Sequence, residues 1–242
     1  MFNLIYFHYG EIPEYIYDNL FQVCLINKDL NIYILINEEY FTNMSKNLNR
    51  LNLKNKNNIK LISIEKIENS LKENVNFNKL SKIFDLFNIE FRNGFWKYTL
   101  FRFIYINEFI KLTNIKNIFH IENDVMLYSD MSYDFGEDTM YFVIDAPHRC
   151  IPGIIYIPNH HLFNKVIDEY NYSTHDMDNL SNFYNNHKDI VRPFPIIDHS
   201  TEKSTYNQEF ETFNSIFDGA AIGQYLGGVD PRNIQGDTIG FV

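Results

Sequence analysis

The chain has 242 residues, 45% of them apolar and 17% aromatic, with a formal net charge of -10. That is enough apolar side chain for a sizeable core and too much for a disordered chain. The acidic balance excludes a protein that grips a phosphate backbone through clustered Lys and Arg, so any anionic ligand must be met locally, with help from a cation.

The first residues, MFNLIYFHYG, lack a basic segment ahead of a long apolar run and read as a first strand (2–10) rather than a signal peptide. IPEYIYDNLFQVCLINK (12–28) has helical spacing with Pro near its first turn, and NIYILIN (31–37) is a second strand. Strand, helix and strand within about 35 residues make a βαβ unit. A weaker helix (39–48), a polar loop and a third strand, NIKLISI (58–64), come next. A polar helical region (65–93) leads into GFWKYTLFRFIYINEFIKLTN (94–114), the strongest helical pattern. Its Phe95, Leu100, Phe103, Ile104, Ile106, Phe109 and Ile110 form a broad apolar face. NIKNIFHI (114–121) is the fourth strand. Further on, TMYFVIDA (139–146) and GIIYIP (153–158) are strands, NHHLFNKVIDEY (159–170) is a helix, and the stretch around 192–210 is irregular.

Consecutive β-α units imply an α/β fold, Rossmann-like, with a mostly parallel central sheet flanked by helices. No linker or repeat divides residues 1–242, so a single domain is expected, with a more mixed second half. The two cysteines, Cys24 and Cys150, suit neither a disulfide framework nor a thiolate zinc site and fit a reducing, cytoplasmic compartment. No stretch reaches the ~20 apolar residues of a membrane span.

Parallel sheets bind ligands beyond the carboxyl ends of their strands. At the end of the fourth strand stands HIENDVMLY (120–128), whose Glu122 and Asp124 are separated by one residue. Alternation along a strand can send both carboxylates to one side. Mg²⁺ or Mn²⁺ commonly takes one or two carboxylates plus substrate phosphates, so the pattern suits a metal-diphosphate site. A solvated turn is the plainer reading, but apolar residues flank the acids: Ile118, Phe119 and Ile121 before, Val125, Met126 and Leu127 after. Acids between segments expected to be buried need partners or a metal.

HIENDVMLY, preceded by GFWKYTLFRFIY and followed by FDGAAIGQYLGG (217–228), resembles the nucleotide-sugar glycosyltransferases of the GT-A fold. The likeness spans roughly residues 2–235 and departs from the family in having Glu where the first acid is more often Asp. It implies a donor half (1–128) and an acceptor half (129–242). Its implied reaction moves a sugar from a nucleotide-sugar, UDP-sugar by default, to a hydroxyl on a glycan, protein or small molecule. By the same resemblance Asp124 is the direct ligand of Mn²⁺ or Mg²⁺ and Glu122 a second ligand or ribose contact. Asn123 is the spacer in the turn. The helix before the acids offers Lys97 and Arg102 to the donor phosphates, although both can equally be solvated charges on an amphipathic helix. Topology places His8 and Tyr9, with Asn37, where such folds hold base and ribose. His199 is a candidate third metal ligand, with His148 an alternative; His120, inside the strand, belongs to the sheet packing.

Asp218 precedes small residues including Gly219, which allow a sugar close to the backbone. Its carboxylate is the candidate general base for an inverting transfer; as a helix N-cap it would have no chemical role. Residue usage favouring Asn, Ile, Lys, Phe and Tyr follows AT-rich codons, and giant DNA viruses encode transferases of this look. A catalytically inactive carbohydrate- or nucleotide-binding module and a metal-dependent nucleotidyltransferase are the competing readings. A phosphohydrolase would show an early strand-end Asp, which the first strand lacks.

Overall fold

A computed structural model describes residues 2–27, 29–51, 58–72, 95–198 and 203–218, without the side chains of residues 95 and 96. Seven strands form one sheet: β1 (Phe2–Phe7), β2 (Leu30–Ile36), β3 (Ile59–Ser63), β4 (Ile118–Ile121), β5 (Met140–Ala146), β6 (Arg149–Ile157) and β7 (Val191–Phe194). Their order across the sheet is β3-β2-β1-β4-β6-β5-β7. All neighbours are parallel except those of β6, which runs antiparallel to both β4 and β5.

Alternation along the strands feeds two cores. Ile5, Phe7, Tyr33 and Leu35 join one, beneath α3 (Ile64–Leu71), α4 (Phe95–Thr113), α5 (His160–Asp168) and α6 (Asp176–Asn186). Leu4, Tyr6, Ile32 and Ile34 join the other, with α1 (Tyr15–Ile26), α2 (Phe41–Arg50) and the segment around Leu127, Met131 and Phe135. A short α7 (Phe210–Phe213) adds Phe213 to that second core. The expected α/β architecture is therefore present, with helices on both faces. Among the described residues no helix is long and apolar enough to cross a membrane.

Several local expectations change. The fourth strand starts at Ile118 rather than residue 114, because Asn114 and Asn117 take positive φ (52° and 53°), a conformation Asn tolerates and a strand cannot use. The strand expected over 153–158 begins four residues earlier, at Arg149, since its first part pairs with β5. The irregular stretch near 192–210 contains β7, which extends the sheet beside β5. Helix α6 was not expected: DMDNLSNFYNN is mostly polar, yet Leu180, Phe183 and Tyr184 bury against the sheet. Helix α4 is buried on all sides, with every residue from Leu100 to Ile110 inside, so it is a central helix and not an amphipathic one. Of the helical region 65–93, α3 covers the part up to Leu71, and residues 73–93 lie outside the described residues.

Candidate active site

The strand order reverses on either side of β1, where β2 lies to one side and β4 to the other. Ligands bind at such a switch point, which here lies between the carboxyl ends of β1 and β4. The β1–β4 ladder stops at Ile5 and His120. Past that point side chains join the two strands: His120 Nδ1 donates to Ile5 O (3.0 Å) and Asn123 Nδ2 to Phe7 O (3.2 Å).

The acidic residues leave β4 in a turn closed by Val125 N–H to Glu122 O (3.1 Å). Buried Asn19 on α1 holds the turn from below, donating to the carbonyls of Asn123 (3.2 Å) and Val125 while accepting from Tyr6 OH (2.6 Å). From the other side, Glu122 N–H donates to Gly153 O (2.9 Å). A Cβ on Gly153 would stand 3.3 Å from Val125 Cγ2 and 3.7 Å from Glu122 Oε2, so the missing side chain is what lets β6 approach the acids.

Glu122 and Asp124 have different settings. Glu122 pairs with Arg102, whose other terminal nitrogen bonds Asp176 Oδ2 at 2.7 Å. The Arg102 and Asp176 side chains are 7% and 4% exposed, that of Glu122 32%. Burial by itself would lower the Arg102 pKa; Glu122 and then Asp176 overcome it and hold the guanidinium charged. Asp124 is the more exposed residue of the two. The surrounding protein, and then the Glu122 charge, push its carboxyl above the ordinary range. Both acids also raise the Tyr15 phenol, after its partial burial, which places the first turn of α1 against this negative field. Met126, expected to be buried beside the acids, is exposed, while Leu127 after it is buried.

The β1 exit forms the other wall. Tyr9 stacks on Tyr98 of α4, ring centroids 3.9 Å apart and planes 15° off parallel, and Lys97 Nζ lies 5.5 Å from the Tyr98 ring. Asn37 Oδ1 accepts from Gly10 N–H (2.9 Å), Gly10 having φ of 95°, and Asn37 Nδ2 donates to Glu65 Oε1 (3.0 Å). His8 likewise engages protein partners through both ring nitrogens. Asp218 is exposed, just after Phe217, whose N–H bonds Pro195 O (2.7 Å) past the end of β7. That is the carboxyl edge of the sheet shared with the acidic turn, with β6 and β5 between. His199 and Gly219 lie outside the described residues, as does the helix expected from Ala221.

The structure thus brings Arg102, Glu122, Asn123 and Asp124 together at the exit of β4 and joins them through Asn123 to the exit of β1, where Tyr9 stacks on Tyr98 with Lys97 beside that ring. Sequence reasoning missed Asp176 and Asn19. Asp176 sits in the first turn of α6, where an acid ordinarily complements the helix end, and Asn19 is one Asn among many; nothing local marks either. His120 is buried in the sheet, as its position in the strand implies.

No protein-family model matches the chain, and no curated protein matches it. Solved structures do. Mouse xyloside xylosyltransferase 1 in its apo form superposes with a TM-score of 0.55 at 9% identity, over 89% of this chain and 94% of that one. The PaToxG glycosyltransferase gives 0.52 at 12% identity, over 76% and 68%. An active-site mutant of the galactosyltransferase LgtC gives 0.50 at 12%, over 90% and 85%. Identities this low show a shared fold: the chain has the GT-A architecture of these enzymes.

Proposed function

We propose that the protein is a metal-assisted glycosyltransferase that moves a sugar from a nucleotide-sugar, with UDP-sugars favoured, to a hydroxyl acceptor. The observation that carries this reading is the acidic turn at the switch point, with one acid braced by a buried arginine and the other more exposed. The donor set fits a hard divalent cation. Among the described residues no three His, Cys, Asp or Glu side chains gather to hold a metal, but Mn²⁺ or Mg²⁺ needs only one or two carboxylates when diphosphate oxygens and water complete its shell. Asp124 would hold the ion, and Glu122 would support it or bind ribose or sugar; His199 is the proposed further ligand. The bound ion would neutralise the departing diphosphate.

The remaining roles belong to the chain itself. The Tyr9–Tyr98 pair offers the nucleobase an aromatic face at the β1 exit, and Lys97 at the start of α4 offers a charge to phosphate. Asn37 acts by holding the Gly10 loop, and Arg102 by fixing Glu122. Residues 129–242 would carry the acceptor, with Asp218 as base if the transfer inverts; a retaining transfer would not need it.

Thermal melting with Mn²⁺ and nucleoside diphosphates, followed by donor hydrolysis, tests the reading. At a hundredfold excess over Kd a ligand adds about 2.7 kcal/mol of stability. Asp124→Asn should abolish that gain and the turnover. If neither Mn²⁺ nor any nucleoside diphosphate shifts the wild-type melt, the donor-site assignment fails; a shift without hydrolysis or transfer indicates a binding module.

A further inference from the structure

We propose that His8 is a positioning residue which acts through Asn123 to fix the acidic turn, so that a His8–Asn123 latch ties the turn to the exit of β1. The consequence for ligand binding rests on the donor-site reading above; the latch itself rests on hydrogen bonds within the protein.

The β1–β4 ladder ends at Ile5 and His120. Among the described residues, the acidic turn is joined to the exit of β1 by one side-chain amide. Asn123 Nδ2 donates to Phe7 O (3.2 Å) and to His8 Nδ1 (2.9 Å), gripping two successive residues of the first strand and its exit. The imidazole is arranged for this. Its Nε2 lies 2.6 Å from Glu11 O, and a carbonyl can only accept, so Nε2 carries the proton and Nδ1 offers the lone pair that meets the Asn123 N–H. Burial disfavours the charged ring and pushes the His8 pKa down, outweighing the Glu11 contact, which keeps that lone pair free.

A turn preference accounts for Asn between two acids by its backbone conformation, but it does not account for an amide turned back onto β1. Asn19 already holds the turn by its backbone carbonyls from α1. His8 holds it by its side chain from β1. With both in place the acids are presented from a frame fixed on two sides, and loss of the His8 side should leave the turn tethered to α1 and β6, with only the longer Asn123 bond to Phe7 O left to hold it to β1.

Two substitutions separate this from a merely structural histidine. His8→Gln keeps an acceptor and a donor on one side chain; His8→Leu fills similar space with neither. In amide hydrogen exchange on the ligand-free protein, His8→Leu should speed exchange over residues 122–127 by roughly fivefold or more, the equivalent of one lost hydrogen bond. His8→Gln should stay near wild type. Asn123→Ala should accelerate exchange at least as much, since it also loses the bond to Phe7 O, and the double variant His8→Leu/Asn123→Ala should exchange no faster than Asn123→Ala alone, since the His8 link is already gone in that variant. The affinity for Mn²⁺ with UDP should fall in His8→Leu and be restored in His8→Gln. Unchanged exchange in His8→Leu, or acceleration in His8→Gln equal to that in His8→Leu, overturns the latch. If the exchange results hold while wild type binds no metal–nucleotide, the latch stands and the donor-site reading falls.

Discussion

Replacing Arg102 by Met tests how the acids are held. Arg102 lies between two carboxylates, and its side chain is 7% exposed; Asp176 opposite it is 4% exposed. In the variant, Asp176 would keep the N–H of Met177 (2.9 Å) but lose its countercharge while buried. Glu122 is about one-third exposed and can turn to solvent, so most of the cost comes from Asp176. Removing one partner of a buried pair costs about 3–5 kcal/mol, because the other charge is left uncompensated. For a chain of this size the melting temperature should drop by roughly 6–20 °C, at about 2–4 °C per kcal/mol. Adding Asp176→Asn and Glu122→Gln to Arg102→Met should restore most of the loss, since no unpaired charge remains. Circular dichroism melts of the single and triple variants measure both. A loss below about 1 kcal/mol in the single variant, the range of an exposed ion pair, would refute the view that Arg102 is the buried keystone of the acidic turn.

Three further expectations follow from the same structure. Burial pushes the His120 imidazole from 6.5 down to about 3, with the Arg102 charge acting in the same direction and the Ile5 hydrogen bond against it. A depressed histidine makes folding most favourable above 6.5, and that contribution is lost as pH falls from 6.5 toward 3. Between pH 8 and pH 5, His120 alone should remove about 2 kcal/mol; an NMR titration showing its ring protonating near 6.5 would contradict this. Tyr9→Ala should weaken nucleoside diphosphate binding by about 1–3 kcal/mol, the usual range for loss of a base–aromatic stack, with isothermal calorimetry as the measure and an unchanged Kd as the failure. Asp218→Asn should cut transfer about 10²–10⁴-fold if Asp218 is the base, with Mn²⁺–UDP affinity intact; full activity in the variant would leave Asp218 as a helix cap.

Much of the framework is visible along the chain because it depends on neighbours in sequence. The β1-α1-β2 unit and the strand before the acids have the periodicity of buried parallel strands and their covering helices, and they were legible within a few residues. The acidic turn was legible for a different reason: carboxylates next to apolar strand residues are rare enough to need an explanation. Helix α6 was not legible. Its apolar residues number only a few, and its burial comes from β6, a strand reached only through the turn of the hairpin with β5. The positive φ of Asn114 and Asn117 shortened a strand whose composition suggested eight residues.

The sequence by itself determined the alternating β-α order, hence a parallel sheet, and it placed two acids at the carboxyl end of one of its strands. Only the tertiary structure decided what those acids are. Their different settings come from Arg102, twenty positions earlier, and Asp176, more than fifty later, brought together beneath the turn by the packing of α4 and α6 on one face of the sheet. The same holds for Asn123, whose side chain reaches β1 across more than a hundred residues of chain. Hydrogen bonds and countercharges of this kind are set by distance in space, and no local pattern of residues encodes it.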